Sequence, residues 1–404
     1  MAEKAREYPE LRFQGFSGAW EKRKLGDVSD IQGGGTPDSK NQAYWSGDIN
    51  WFTPTEVFNQ GYLSESRRKI TKEGLLKSSA TLMPPGTVLM TSRAGVGDMG
   101  ILTQAAATNQ GFQSMIPHKE MPSYLLYSMQ FFISRMANKL ASGSTFMEIS
   151  GKQLAKIEVM IPGDSQEREL LCNFFKNLDD MITVNQRKLN ELKKLKKAYL
   201  QKMFPKNGVS IPELRFAGFT TPWEKRKSKS LFQSIVEKGK SNLPVLSVTQ
   251  DSGVVFRDEI DINIKYDHST LDSYKVVHPG DFVISLRSFQ GGFELSNKLG
   301  ITSPAYTIFI SRDPSKQSNL FWEVQFKSYR FVESLKTVTF GVRDGKSISF
   351  KEFSDLKLLY PIDIKEQIQI GTFFKSLDDL ITVNQRKLDK LKELKKGYLQ
   401  KMFI

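Results

Sequence analysis

Glycine-rich segments come nearest, among the residues of this chain, to a known catalytic or cofactor-binding pattern. Residues 95–100, GVGDMG, fit G-x-G-x-x-G, which binds a dinucleotide when it connects a strand to a helix. The next residues, 101–103, instead have the pattern of a returning strand, so we predict a hairpin turn. Residues 341–347, GVRDGKS, are one residue short of a phosphate-binding loop and also predict a turn.

Other residue types used in catalysis and metal binding are scarce. The one cysteine, Cys172, excludes an internal disulfide and a multi-cysteine metal site, and the three histidines, His118, His268 and His278, lack ligand spacing. The chain has no N-P-P-F or D-P-P-Y segment for amino methylation and no convincing cluster of nuclease carboxylates. We therefore predict a protein that is not an enzyme and holds no metal and no cofactor.

The net charge indicates an anionic partner. The chain has 58 Lys and Arg against 44 Asp and Glu, a formal charge of +14. Because Lys and Arg neutralise phosphates and release counterions, nucleic acid is the expected partner, although an acidic protein or solubility alone would also account for the charge. No apolar run is long enough for a membrane helix, and the N-terminal residues, MAEKAREYPE, lack the apolar core of a signal peptide, so we predict a cytoplasmic location.

An internal repeat determines the predicted organisation of the chain. Residues 174–204 recur as residues 373–403 with six differences in 31 positions, and residues 8–13 with 20–24 recur as 211–216 with 223–227. Between these repeated blocks the two halves diverge. The order is therefore block, domain, helix, repeated once.

The repeated helix has the apolar spacing of a coiled-coil seam, interrupted in the first copy at Asn185 and Lys196. About 39 residues would extend roughly 58 Å, and each helix is the obvious partner for the apolar stripe of the other. Only six residues separate the first helix from the second opening block, and a domain about 40 Å across is too short to return the chain along the helix. The pair is therefore predicted to be antiparallel, with Asn185 facing Asn384 at the midpoint and fixing the register.

The predicted fold class is mixed α/β, with two globular domains related by a pseudo-twofold axis and separated by an antiparallel two-helix coiled coil. Residues 87–91 and 282–286 have the pattern of short apolar strands, and residues 123–140 and 319–335 have helical spacing. The predicted boundaries are residues 1–165 for the first domain, 166–205 for the first helix, 206–364 for the second domain and 365–404 for the second helix.

The motifs in this arrangement resemble those of type I restriction-modification specificity subunits. They are P-x-L-R-F and W-E-x-x-x-L at the start, G-G-G-T-P-x7-W-x-G-D-I-x-W in residues 33–51, and L-D-x-x-I-x-x-N-Q-x-x-L-x-x-L-K-K in the helices. The resemblance covers essentially the whole chain, except that the second domain lacks the G-G-T-P segment and has residues 236–240, VEKGK, there.

This resemblance implies a non-catalytic subunit in which each domain binds one half of a bipartite, asymmetric sequence in double-stranded DNA. It further implies that the helices dock two methyltransferase subunits and that two restriction subunits can join. S-adenosylmethionine, ATP and Mg are then expected in those partner subunits. Two other functions fit parts of the pattern, namely a self-sufficient bipartite DNA-binding regulator and a coiled-coil scaffold that binds no nucleic acid.

Polar and cationic side chains in the loops of both domains are the candidate DNA contacts. Arg pairs bidentately with guanine and Gln with adenine, while phosphate contact is the alternative role of each side chain. The candidates of the first domain are Lys40, Tyr44, Arg67, Arg68, Arg93, Ser144 and Thr145. Those of the second domain are Lys240, Arg257, Arg287, Ser288, Gln290, Arg343 and Lys346. The tryptophans Trp20, Trp45, Trp51 and Trp223 are predicted core residues, and the helix lysines, including Lys196, a solvated or partner-facing surface.

Overall fold

The structure is a computed structural model that describes residues 8–403 except 58–60, 94, 142–147, 207, 250–252, 261–267, 286–291 and 338–347. The chain forms two compact units. The first unit is Met1–Arg187 with Arg386–Ile404, and the second unit is Lys188–Gln385. Each unit therefore contains one globular domain together with part of each long helix, whereas the sequence predicted domains separate from the helices.

The first unit contains ten strands and five short helices, followed by the first long helix, in the part of it that the structure describes. The strands are β1 Trp20–Lys24, β2 Ser29–Gly33, β3 Trp45–Phe52, β4 Tyr62–Leu63, β5 Arg68–Ile70, β6 Val88–Met90, β7 Met99–Leu102, β8 Ala106–Thr108, β9 Gln113–Pro117 and β10 Glu158–Pro162. The helices are α1 Leu25–Val28, α2 Lys72–Leu76, α3 Ser123–Ser128, α4 Gln130–Ala141, α5 Gly151–Ala155 and α6 Ser165–Lys202.

Three sheets organise the first unit. A five-stranded sheet has the order β2-β9-β6-β7-β4, a three-stranded sheet has the order β5-β3-β8, and β1 pairs with β10. The pairs are antiparallel except β4 with β7 and β3 with β8. Helices α3 and α4 pack on the large sheet through an aliphatic core that also receives Leu171 and Phe175 from α6. The predicted mixed α/β class is confirmed.

The second unit repeats part of this plan. Its strands are β11 Glu224–Lys227, β12 Phe232–Ile235, β13 Leu246–Thr249, β14 Gly253–Phe256, β15 Lys275–Val277, β16 Phe282–Ile284, β17 Phe293–Leu295, β18 Gly300–Thr302, β19 Thr307–Ser311 and β20 Lys357–Tyr360. Its helices are α7 Ser228–Leu231, α8 Asn319–Lys327, α9 Tyr329–Leu335, α10 Phe350–Asp355 and α11 Ile364–Met402.

The strand order of the second unit shows which part of the plan is repeated. The order β12-β19-β16-β17 and the pair β11-β20 correspond to β2-β9-β6-β7 and β1-β10. The remaining strands form two separate pairs, β13-β14 and β15-β18, in place of the sheet β5-β3-β8. The core is built from aromatic rings, with Phe232, Phe282, Phe293, Phe309 and Trp322 all fully buried.

The two segments predicted to be helical are each divided. Residues 123–140 form α3 and α4 with a break at Met129, and residues 319–335 form α8 and α9 with a break at Ser328. The hydroxyl of Ser328 accepts a hydrogen bond from the backbone N–H of Phe331, as an N-cap does. The apolar period alone does not show this break, because the core-facing positions continue on both sides of it.

The long helices are close to the predicted bounds. An aspartate precedes each of them, and the Asp164 and Asp363 carboxylates accept hydrogen bonds from the backbone N–H groups of Gln166 and Lys365. Pro205 follows the end of α6, where its ring cannot continue the helix. In α11, Gly371 lies so near α8 that a Cβ atom would be 2.6 Å from the Cβ of Leu320.

The helices are antiparallel within each unit. In the first unit, the Phe174 ring meets the Tyr398 ring edge-on at 5.0 Å between centroids. In the second unit, the equivalent rings of Phe373 and Tyr199 make the same contact, also at 5.0 Å. The early part of one helix thus packs on the late part of the other in both units, which confirms the predicted direction.

A repeated ion pair accompanies these aromatic contacts. Lys395 contacts Asp179 in the first unit, and Lys196 contacts Asp378 in the second, each with an N–O distance of 2.5 Å. The cationic interruption of the seam at Lys196 therefore has an acidic partner on the other helix. The Lys196 side chain remains 26% exposed, so the predicted solvated surface now includes an ion pair between the helices.

The two seam asparagines are buried and bond to their own helices. The side-chain N–H groups of Asn185 and Asn384 donate to the carbonyl oxygens of Met181 and Leu380, both at 2.7 Å. Each side chain keeps further donor and acceptor capacity, because an amide has two N–H bonds and a carbonyl oxygen. Their mutual contact stays a prediction.

Candidate nucleic-acid interface

Arg68, one of the candidate DNA contacts, lies on a platform of two tryptophans. It begins β5, directly opposite Trp51 of β3 in the antiparallel register. Its guanidinium carbon is 3.7 Å from the centroid of the Trp45 ring and 5.5 Å from that of Trp51. Because the residue is exposed, the platform limits the orientations of a cation that solvent, or a ligand, can reach.

The tryptophans are themselves held by hydrogen bonds to the preceding loop. The Trp51 indole N–H donates to the carbonyl oxygen of Gly35 at 2.9 Å, and that of Trp45 donates to the carbonyl oxygen of Asp38 at 3.1 Å. The two rings meet edge-on at 5.1 Å. Trp20, Trp51 and Trp223 are buried as predicted, whereas Trp45 is half-buried because one face supports Arg68.

The glycine run of residues 33–35 is explained by close backbone packing. A Cβ atom on Gly34 would lie 2.0 Å from the carbonyl oxygen of Asn109, and one on Gly35 would lie 2.3 Å from the carbonyl carbon of Ser79. The backbone N–H of Gly35 donates to the carbonyl oxygen of Thr108 at 2.9 Å. These glycines therefore hold the loop against β8, at the base of the tryptophan platform.

The other glycine motif forms the predicted hairpin. Strands β6 and β7 are antiparallel, and the backbone N–H of Thr91 donates to the carbonyl oxygen of Asp98 across their turn. Gly95 and Gly97 have positive φ angles of 111° and 102°, which non-glycine residues rarely adopt. The hairpin reading of residues 95–100 is confirmed, and no helix begins there.

Arg67 and Lys40 are exposed on loops whose backbones are anchored. The backbone N–H of Arg67 donates to the buried carboxylate of Glu56 at 2.6 Å, and that of Lys40 donates to Asp38 at 2.9 Å. Tyr44 is half-buried, and its carbonyl oxygen accepts from the backbone N–H of Thr71. These segments adjoin the sheet β5-β3-β8, so the structure groups Lys40, Tyr44, Arg67 and Arg68 around one sheet.

Arg93 differs from these candidates because it already has an acidic partner. Its Nε atom lies 2.8 Å from Oε1 of Glu148, and the two residues form an isolated antiparallel bridge. A carboxylate at this distance offsets much of the attraction of Arg93 for a phosphate. The other first-domain candidates, Ser144 and Thr145, lie outside the described residues.

In the second unit, two candidates lie within the described residues. Lys240 is exposed, and Arg257 is half-buried with its Nε atom donating to the hydroxyl of Ser247 at 3.2 Å. The remaining candidates lie outside the described residues, and they are Arg287, Ser288, Gln290, Arg343 and Lys346. Residues 341–347, which are one residue short of a phosphate-binding loop, also lie outside the described residues.

Reasoning from the sequence missed a buried cluster that joins each opening block to its unit. Arg12 and Trp20 both donate to Glu167 in the first unit, and Arg215 and Trp223 both donate to Glu366 in the second. A signal was available, because the arginine, tryptophan and glutamate recur in both halves at matching positions. The cluster positions the opening strand beside the start of the long helix.

Three structural findings concern a reactive thiol, metal binding and membrane helices. Burial raises the pKa of the Cys172 thiol to about 11, so the thiol stays protonated near neutral pH and is a poor nucleophile. Among the described residues, no three His, Cys, Asp or Glu side chains are grouped so that they could hold a metal ion. None of the helices in the described part of the chain is both long and apolar enough to cross a membrane.

Comparison with solved structures relates this fold to a known one. The crystal structure of the type I restriction-modification system S subunit from M. genitalium superimposes with a TM-score of 0.63 at 14% sequence identity, covering 98% of this chain and 99% of that one. At this identity the likeness concerns the fold. It extends over both units and both long helices.

Sequence comparison finds similar proteins. Residues 18–194 match the model of the type I restriction modification DNA specificity domain. The specificity subunit of the type I restriction enzyme MjaIX from Methanocaldococcus jannaschii is 35% identical over 43% of this chain and 40% of its own length. That of EcoR124I/EcoR124II from Escherichia coli is 26% identical over 47% of this chain and 50% of its own length. The matches thus span about half or less of these relatives. The chain is thus similar in sequence to the type I restriction modification DNA specificity domain over residues 18–194, and it shares the fold of the M. genitalium S subunit over nearly its whole length.

Proposed function

We propose that this chain is a non-catalytic, sequence-specific DNA-binding subunit that recognises a bipartite, asymmetric target. Each unit binds one half of the target, and the chain positions methyltransferase and restriction subunits on the DNA. S-adenosylmethionine, ATP and Mg belong to those partner subunits. The match of residues 18–194 to the DNA specificity domain and the net charge of +14 support this proposal.

The observation that carries the proposal is that both units share the same helices, ion-pair cluster and four-strand order, whereas their remaining strands differ. Both units have the Arg-Glu-Trp cluster, the same helix contacts and the same four-strand order. The first unit then adds the sheet β5-β3-β8 with its Arg68 platform, whereas the second has two separate strand pairs. Two units with the same supporting elements but different additional strands suit the recognition of two different half-sites.

Exposed apolar side chains support docking of two copies of a partner. Met181, Val184 and Leu394 are exposed on the helices of the first unit. The equivalent residues of the second unit, Leu380, Val383 and Leu195, are exposed as well. Because apolar side chains at repeated positions favour a protein contact, they suit two copies of one subunit.

Coexpression tests the proposal directly. The chain would be expressed with and without the cognate methyltransferase subunit in cells that lack DNA methylation, and methylated adenines would be mapped across the genome. We expect one bipartite motif only when both proteins are present. DNA binding without any copurifying methyltransferase would favour a self-sufficient regulator, and absence of DNA binding would favour a scaffold.

A further inference from the structure

The surface segment of residues 64–68, which leads into β5, is held by a buried amide of β3. The side-chain N–H of Asn50 donates to the carbonyl oxygen of Ser64 at 3.2 Å, and its side-chain oxygen accepts from the backbone N–H of Ser66 at 3.1 Å. Asn50 is only 3% exposed. Both ends of its amide are therefore directed to the backbone of this one segment, and the loss of either bond would leave a buried polar group unpaired.

Two further contacts act on the later residues of the segment. The hydroxyl of Ser66 accepts from the backbone N–H of Trp51 at 2.9 Å and lies 2.6 Å from the carbonyl oxygen of Arg68. Glu56 is buried, and one of its carboxylate oxygens accepts from the backbone N–H of Arg67 at 2.6 Å, while the other accepts within its own turn. The backbone of the segment is therefore fixed on both sides of Ser66.

These contacts determine which side chain lies on the tryptophan platform. In the antiparallel register, Arg68 is opposite Trp51, and its guanidinium carbon is 3.7 Å from the centroid of the Trp45 ring. Arg67 is exposed beside it. A shift of one residue along β3 would send every side chain of β5 to the other face. The buried contacts oppose such a shift and so keep Arg68, and not a neighbouring cation, on the platform.

The contacts lie in the part of the first unit that the second unit does not repeat. The four-strand order and the Arg-Glu-Trp cluster are common to both units. Strands β3 and β5 instead belong to the sheet that the second unit replaces with two separate strand pairs. A contact needed only for the shared fold would be expected among the repeated elements. The location of these contacts associates them with the surface that differs between the units.

We propose that Asn50, Glu56 and Ser66 are positioning residues for DNA recognition, which orient Arg67 and Arg68 before the target binds. Because the backbone is fixed in advance, little conformational entropy is lost on binding, and an arginine that meets a wrong base cannot move to another partner. The inference rests on the DNA-binding function proposed above. It adds that base discrimination in the half-site of the first unit depends on three residues that need not touch DNA themselves.

Methylation selectivity tests the inference in cells that contain the full chain and its cognate methyltransferase subunit. For each variant, methylation at the mapped motif is divided by methylation at sites that differ from the motif by one base pair. We expect Ser66→Ala and Asn50→Asp to lower this ratio at least about fivefold, the lower end of what one base contact contributes. The loss should be confined to the base position that Arg67→Ala or Arg68→Ala relaxes, and the other half of the motif should keep its ratio.

Two further variants serve as controls. Ser66→Thr keeps the hydroxyl and should keep the ratio of the unmodified chain. Ser64→Ala makes the same change as Ser66→Ala within the same exposed segment, but it retains the backbone carbonyl that accepts from Asn50, so it should change the ratio less than about twofold. If the buried Asn50→Asp variant does not fold, Ser66→Ala, at a half-buried position, decides the question.

The possible outcomes separate this inference from the proposed function. A purely structural role would lower methylation at the motif and at the near-matches together, and an unchanged ratio in Ser66→Ala would therefore overturn the inference. Equal relaxation by Ser64→Ala, or no relaxed position in Arg67→Ala and Arg68→Ala, would overturn it as well. Absence of any bipartite motif with the unmodified chain would overturn the proposed function, and this inference with it.

Discussion

Arg12 and Glu167 form a bidentate ion pair, with the Nε and Nη2 atoms of the arginine each 2.7 Å from a carboxylate oxygen. Glu167 is only 1% exposed, and the hydrogen bond to it raises the pKa of Arg12. Arg215 and Glu366 repeat the pair with the same distances. In each half of the chain, the cluster therefore joins the repeated opening segment to the first turn of the long helix.

Glu167→Gln tests the stabilising role of this pair. Removing one partner of a buried ion pair leaves the other cation without compensation, so we expect the free energy of unfolding of the first unit to fall by on the order of 3 kcal/mol. Thermal unfolding followed by circular dichroism measures the change. Glu169→Gln, on the exposed face of the same helical turn, should have an effect below about 0.5 kcal/mol. Equal effects of the two substitutions would contradict the role.

Arg68→Ala tests the tryptophan platform as a DNA contact. If the stacked guanidinium pairs with guanine, its loss should cost about 1–3 kcal/mol of discrimination and relax one base position in one half-site. Fluorescence anisotropy with a panel of altered duplexes measures both effects. Lys72→Ala is an exposed control, and Arg93→Ala should cost less than Arg68→Ala because Glu148 already pairs with Arg93. A uniform loss on all duplexes would instead indicate a phosphate contact.

Exchange of one unit's contents tests whether the half-sites are bound independently. Residues 206–365 would be replaced by the equivalent region of a relative that keeps the arginine and tryptophan which contact Glu366. One half of the methylated motif should change, while the other half and the spacer length stay the same. Methylome sequencing decides the question, and a change in both halves would show that the units are not independent.

The isolated chain should not methylate DNA and should not bind S-adenosylmethionine. The hairpin at residues 95–100 lacks the following helix that a dinucleotide site needs, and the Cys172 thiol is protonated near neutral pH. Calorimetry with S-adenosylmethionine and a methyl-transfer assay test this expectation, with the reconstituted methyltransferase complex as the positive control. Stoichiometric binding to the isolated chain would contradict it.

Asn185 and Asn384 are predicted to contact each other and so to fix the helix register. Their buried amides make the contact testable by a double-mutant cycle of Asn185→Ala and Asn384→Ala. A direct contact should give a coupling of at least about 0.5 kcal/mol in the free energy of unfolding. The exposed pair Thr183→Ala and Thr382→Ala provides the control and should be additive. Additive asparagine effects would count against the contact.

The prediction of the fold rested on the spacing of apolar residues and on the internal repeat. The apolar spacing of the long helices predicted their bounds to within a few residues, and the short linker predicted their direction, because both are properties of the local chain. Spacing could not reveal the breaks at Met129 and Ser328, since a break changes the axis of a helix without changing which residues are apolar.

The candidate site divides in the same way. Residue type alone placed Arg68 and Arg93 in one class, and only the tertiary structure separated them, by bringing Trp45 to the first and Glu148 to the second. The sequence by itself determined two repeated modules, their helices and their positive charge. Which cations are stacked on a ring and which are paired with a carboxylate was decided by contacts between residues far apart in the chain, and no local pattern encodes those distances.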